Sequence, residues 1–253
     1  MTGEPGRGGG KGATGFVNTY ANAQRAESYA RLEFPGTYYL AFRDLPEIIG
    51  RHVTGRKALD FGCGTGRSTR FLKNLGFDAV GVDIAAEMIA KAREVDPAGE
   101  YHLVGDGDLG TIGSGGFDLI LSAFTFDNIP TGSAKVSILS QLKNLAAAGG
   151  AIINLVSSPE MYTHEWESIS TRDFPENRMA RDGDMVRTII TATGDSRPVE
   201  DVLCSDNCYR EIYGRAGLKI EEFHAPLARE DEPYVWISEL SVAPWVIYIL
   251  RPA

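Results

Sequence analysis

Cysteine is scarce in this 253-residue chain: Cys63, Cys204 and Cys208 are all it has. An odd, scattered set builds neither a disulfide framework nor a zinc site. Long apolar runs are missing too. Nothing approaches the roughly 18 consecutive apolar residues of a membrane helix, and the N-terminus carries no apolar signal segment, which points to a cytoplasmic protein without a membrane partner. Lys and Arg form no cluster, and the net charge is -9. Because phosphate neutralisation dominates affinity for nucleic acid, that balance weighs against such a partner and favours a small-molecule substrate. His164-Glu165-Trp166-Glu167 lacks the second histidine of a zinc-protease motif, and no metal is expected. Asp60-Phe61-Gly62 lacks the lysine strand and catalytic loop that would make it a kinase triplet. What remains is ordinary for a soluble globular chain, with 43% hydrophobic and 23% charged residues, and long enough for one sizeable core.

The most informative stretch runs from Lys57 to Thr69. Ala58 to Phe61 reads as a buried strand, Gly62, Gly64 and Gly66 as a tight turn, and Arg67 onward as a helix. Glycine tolerates positive φ and lets a ligand approach bare backbone, so this unit forms a crevice floored by peptide N–H groups. A dinucleotide fingerprint would place its third glycine where Arg67 stands; here the pattern is G-x-G-x-G, which disfavours a nicotinamide oxidoreductase. The following strand, Asp78 to Ile84, carries Asp83 near its end, about 20 residues on, where a carboxylate can accept hydrogen bonds from both ribose hydroxyls of a nucleoside.

These residues resemble the class I S-adenosylmethionine (SAM) dependent methyltransferases. The family's opening motif is matched by Leu59-Asp60-Phe61-Gly62-Cys63-Gly64-Thr65-Gly66, its ribose acid by Asp83, its adenine-amine acid by Asp106 in Gly105-Asp106-Gly107, and its fourth strand by Phe117-Asp118 through Ser122-Ala123-Phe124. The resemblance implies SAM as cofactor, S-adenosylhomocysteine as its product, and cofactor contacts from Asp60, Gly62, Cys63, Gly64, Gly66, Asp83, Gly105, Asp106 and Gly107. It adds Ile84 and Met88 against the adenine and the backbone of Ser122, Ala123 and Phe124 toward the sulfonium. Read from the residues alone, Met88 is equally a core side chain and Cys63 is packing. The implied fold is α/β: a Rossmann-like, seven-stranded, mostly parallel sheet with an antiparallel last strand, helices on both faces, an N-terminal helical lid and a β insertion after strand five.

Along the chain, residues 1–15 hold seven glycines and no apolar pattern, and are expected to be a disordered tail. Residues 16–253 are expected to be a single methyltransferase domain, with 16–55 as the lid. In similar proteins such a lid sets a tyrosine near the methyl group and a basic residue near the cofactor carboxylate; Tyr20, Tyr29, Tyr38, Tyr39 and Arg43 are the candidates, with Tyr39 and Arg43 taken forward. Thr37 is expected to cap a helix. Asp127-Asn128-Ile129-Pro130 is similar to the Asp-Pro-Pro-Tyr box of amine-modifying DNA enzymes, but lies several residues beyond the strand end and reads as a turn into the helix expected at Ser133–Ala147. A fifth strand is expected at Ala151–Val156. The stretch from Ser157 to Ser205 is too long for an ordinary connection; within it, Met185–Thr191 and Pro198–Leu203 read as two strands of a hairpin inserted at 163–205 over the substrate side.

A sulfonium methyl is already electrophilic, so the protein must mainly align the acceptor lone pair, exclude water and leave the acceptor unprotonated. If a base is used, His164 just past the fifth strand is the leading candidate, with His224 behind it. The expected function is methyl transfer by in-line displacement to an O or N atom of a small-molecule metabolite. Alternatives that share every motif are a SAM-using enzyme that does not transfer methyl and a non-catalytic SAM-binding protein.

Overall fold

The computed structural model describes residues 23–30, 32–113 and 115–253. The expectations for residues 1–15 and for Tyr20 lie outside them. Three short helices come first: α1 (Ala23–Ala30), α2 (Thr37–Arg43) and α3 (Leu45–His52). Strands β1 (Lys57–Phe61), β2 (Asp78–Asp83), β3 (Glu100–Leu103), β4 (Phe117–Ala123) and β5 (Ala146–Ser157) then alternate with α4 (Arg67–Asn74), α5 (Ala86–Val95) and α6 (Gly132–Leu145). Next come β6 (Ile169–Ser170), β7 (Met185–Ile190), β8 (Val199–Val202), α7 (Asp206–Arg215), β9 (Leu218–His224) and β10 (Trp245–Pro252).

Seven strands form one sheet in the order β3-β2-β1-β4-β5-β10-β9. The strands pair in parallel from β3 through β5, and β10 runs antiparallel to both β5 and β9. This is the sheet the resemblance implies. Its central strands are apolar on both faces, as expected of a sheet covered on both sides. Leu119, Leu121, Ile153, Leu155, Ile247 and Ile249 pack with α2, α3 and Leu72 of α4; the alternate residues Ile120, Ile152, Val156, Tyr248 and Leu250 pack with α6 and α7. The order reverses between β1 and β4, so the crevice beyond their C-terminal ends is where an open α/β sheet takes a ligand.

Three local expectations need correction. Thr37 does not cap α2; that place belongs to Gly36, while the Thr37 hydroxyl donates to buried Glu239 at 2.8 Å and accepts from the Ser168 N–H. The fifth strand starts directly at the end of α6, at Ala146, because its first residues pair with Phe117 before a register shift. Gly150 permits this close pass, since a Cβ there would meet the Phe117 carbonyl at 2.6 Å. Finally, the inserted β element has three strands rather than two, with β6 added to β7.

Candidate active site

Leaving β1, the chain turns through Gly62 (φ 75°), Gly64 (φ 52°) and Gly66 (φ 82°), and α4 begins at once. Two carboxylates lock this turn. Asp60, fully buried, accepts from the Ser68 and Thr69 hydroxyls at 2.7 and 2.6 Å, tying β1 to the first turn of α4. Asp83 accepts from the Gly64 N–H and the Ala85 N–H, both at 2.8 Å. Burial raises the pKa of Asp83, while the N–H donors at Ala85, Gly64 and Ile84 oppose that shift.

A cavity of about 180 Å³ opens over the turn. Gly62, Cys63, Gly64 and Asp83 form its floor, Ile84, Met88 and Ile129 an apolar side, and Ala123, Phe124 and Arg67 the far end. The residues present suit an adenosyl group. Each Asp83 oxygen holds one N–H bond and keeps lone-pair capacity for a hydroxyl, and Gly64 presents bare backbone, with no atom within 4 Å of where its Cβ would stand.

Of the residues singled out in the sequence, Gly62, Cys63, Gly64, Asp83, Ile84, Met88, Ala123 and Phe124 meet at this cavity. Asp60, Gly66 and Ser122 lie behind it, Asp60 and Ser122 fully buried. Gly105, Asp106 and Gly107 are exposed residues of the loop after β3 and are not part of its wall.

Four side chains depart from expectation. Tyr39 stacks on Tyr234 with ring centroids 5.3 Å apart. Arg43 is held by Asp44 and Glu232, at 2.7 and 2.6 Å, and does not reach the cavity. The chain leaves β5 through a turn at Pro159–Tyr162, and the half-buried His164 that follows lines neither of the site's cavities; its ring lies near Trp166, with Nδ1 3.2 Å from the Thr163 hydroxyl and from the Glu160 carbonyl. His224 pairs with Asp44 instead.

The basic group at the cavity is Arg67. Its guanidinium lies 5.0–5.5 Å from the ring centroids of Phe34, Tyr38 and Phe42 and donates to the Glu33 carbonyl; burial lowers its pKa. Sequence reasoning used Arg67 only as the residue that breaks the dinucleotide pattern. Its place directly after the third glycine, at the head of α4, was the available signal.

A second cavity, of about 60 Å³, adjoins the first, and Tyr29, Arg67, Phe124 and Asn128 line both. Phe124 at this junction has φ 64°, the one positive-φ residue other than glycine among the described residues. A bulky residue held there stores strain of the kind that gathers at functional sites. Its ring lies 4.6 Å from Trp245 and 5.6 Å from Tyr38, closing the wall between the two spaces.

The switch-point crevice, the glycine turn and the Asp83 carboxylate at the end of β2 together have the chemistry of a nucleoside site. Residues 59–154 match the family model for a methyltransferase domain. Over that stretch the chain is similar to the SAM-dependent methyltransferases. It is 29% identical over 112 residues to a ubiquinone biosynthesis O-methyltransferase of Methylococcus capsulatus, covering 42% of this chain and 46% of that protein. A malonyl-[acyl-carrier protein] O-methyltransferase of Pectobacterium atrosepticum is 36% identical over 75 residues, 27% of this chain and 29% of that protein. The chain thus spans less than half the length of these curated relatives. In fold it is similar to the CcbJ methyltransferase of Streptomyces caelestis, with a TM-score of 0.62 and 18% identity over 88% of this chain and all of that one.

Proposed function

We propose that the protein transfers the methyl group of SAM to an O or N atom of a small molecule held in the second cavity. The observation that carries this reading is the junction: a nucleoside-shaped space floored by Gly62, Gly64 and Asp83 ends at Phe124 and Arg67, which also wall the smaller space beyond. The bound cofactor supplies an electrophilic methyl group. Asp83 holds the ribose, Ile84 and Met88 press on the adenine, and Arg67 takes the carboxylate role that sequence reasoning gave to Arg43. Phe124, Tyr38 and Trp245 keep water from the junction. Exclusion of water and alignment of the two reactants are the main catalytic contributions open to such a site. Residues 163–205, which supply β7 and β8 to the second cavity, act as the acceptor-side insertion, and the N-terminal helices, through Tyr29, act as the lid. The absence of any helix long and apolar enough to cross a membrane among the described residues, with the net charge of -9, supports a cytoplasmic enzyme of small metabolites.

Two measurements test the reading. Calorimetry should detect SAM and S-adenosylhomocysteine binding, and mass spectrometry should find a co-purifying metabolite together with its methylated form; failure of both ligands to bind refutes it. Asp83→Ala should weaken S-adenosylhomocysteine binding by about 2 kcal/mol, roughly thirty-fold, through loss of charge-assisted hydrogen bonds. Unchanged affinity would remove Asp83 from the site.

A further inference from the structure

The second cavity contains two carboxylates that the proposed cofactor contacts leave unused. Asp127, in the turn after β4, accepts from the Ser157 N–H and hydroxyl at 3.0 and 2.9 Å and from the Tyr209 hydroxyl at 3.2 Å. Asp201, on β8, accepts from Asn128 Nδ2 at 2.5 Å and from the Tyr162 hydroxyl at 3.2 Å. Both are buried, and both line the cavity. The remaining wall is largely apolar: Met161, Ile169, Ile190, Val199 and Trp245.

The charges near this pair do not balance. Lys135 on α6, itself buried, is the cation that acts on both carboxylates. Its Nζ has no hydrogen-bond partner among the described residues and lies 5.2 Å from the Tyr209 ring centroid. One ammonium offsets one carboxylate. The other groups facing the pair include Tyr38, Tyr162, Tyr209, Asn128, Ser157 and Thr188, all uncharged, and Arg67, which also lines the cavity, is committed to the cofactor carboxylate in the reading above. Burial raises the pKa of both aspartates, and the negative charge of Asp127 raises Asp201 further. Two buried carboxylates that repel one another in one cavity share a proton unless a second cation enters.

We infer that the acceptor is an aliphatic amine whose ammonium head enters the second cavity, pairs with Asp127 and Asp201, and gives a proton to Asp201 before methylation. The inference rests on the proposed methyltransferase reading and narrows its O-or-N acceptor to nitrogen. An ammonium has no lone pair and cannot attack. The N–H bond that breaks passes its proton to the Asp201 carboxylate and leaves its electron pair on nitrogen. That pair forms the new N–C bond as the C–S bond breaks, with the departing electrons staying on sulfur. A cavity of about 60 Å³ admits a head of only a few heavy atoms, since one water-sized probe takes roughly 10–15 Å³. Most of its lining, from Ser157 to Trp245, also lies beyond residue 154, where the match to the methyltransferase-domain model ends. The acceptor side is therefore free to differ from that of other proteins that match this domain model.

The test uses the full chain with butylamine, butanol and butyrate, three acceptors of one shape and different charge. Binding to the S-adenosylhomocysteine complex is read by calorimetry, and turnover with SAM by S-adenosylhomocysteine release. Butylamine should bind at least ten-fold tighter than the other two and should be the one turned over. Preference for butanol or butyrate, or absence of both binding and turnover of the amine, overturns the inference while SAM binding still supports the methyltransferase reading. Loss of SAM binding itself refutes that reading and the inference together. Asp201→Asn keeps the side-chain shape, so its SAM affinity should match the wild type. Its rate with butylamine should require free amine from solution, moving the half-maximal rate at least two pH units upward. A pH profile coincident with the wild type assigns Asp201 no role in proton transfer and overturns that step.

Discussion

Gly62→Ala is expected to abolish measurable SAM binding and to lower stability by about 2–4 kcal/mol. Two penalties coincide at this position. With φ at 75°, any side chain sits in the left-handed region, which costs about 1 kcal/mol for alanine. The added Cβ would also fall within the van der Waals shell of the Thr125 side chain. Thr125 cannot simply move away, because its hydroxyl is bonded to the Phe61 carbonyl at 3.1 Å and it follows the strained Phe124. Displacing it disturbs both strand ends of the crevice together. Gly64→Ala provides the contrast. Its φ of 52° carries a similar backbone cost, but the new methyl group meets no atom within 4 Å and projects into open space at the cavity. This variant should lose only about 1 kcal/mol of stability while its affinity for S-adenosylhomocysteine falls at least ten-fold. Thermal melts and calorimetry on the two proteins separate the effects. Equal stabilities would mean that the Gly62 turn tolerates a side chain.

The cofactor half was legible in the sequence because its geometry is local. The glycine turn, the braced Asp60 and the carboxylate of Asp83 lie within about two secondary-structure units, and glycine spacing fixes backbone conformation directly. The sheet was legible for a related reason: alternating strands and helices admit few parallel arrangements. The acceptor half was not. Asp127, Ser157, Thr188, Asp201 and Trp245 line one cavity, but they come from five separate segments whose meeting depends on how the insertion after β5 folds back. Asp127 was visible as part of an Asp-Asn-Ile-Pro turn, and its distance from the strand end argued against a role. A short turn at Phe126–Asn128 brings it back under β5, where Ser157 captures it. His164 failed in the opposite sense, since proximity in sequence to the end of β5 did not determine the direction in which the chain left. Arg43 and Arg67 show the same limit, with a local carboxylate, Asp44, capturing the first and an aromatic cage holding the second at the site.

Asp60→Asn is expected to make the protein more stable than the wild type at alkaline pH and to lose that advantage in acid. Asp60 is fully buried, and one of its oxygens has no hydrogen-bond partner among the described residues. Burial pushes its pKa up to about 6 from an ordinary 3.8; the Thr69 and Ser68 hydroxyls oppose the shift and the charge of Asp83 adds to it. A carboxyl group with a folded pKa above its unfolded one binds its proton more tightly in the folded state. The resulting stabilisation is complete below about pH 4 and disappears as the pH rises through 6. A gap of about two pH units corresponds to about 3 kcal/mol between those limits. Asparagine keeps the oxygen that Ser68 and Thr69 bond, and has no charge to bury. Denaturant unfolding of both proteins at pH 4.5 and pH 8 cancels the titration of every other group, leaving a difference that should grow in favour of the variant by about 2 kcal/mol. A difference that stays flat would show that Asp60 keeps its charge throughout, so that the glycine turn is braced by an ion rather than by a carboxyl group that gains its proton near neutrality.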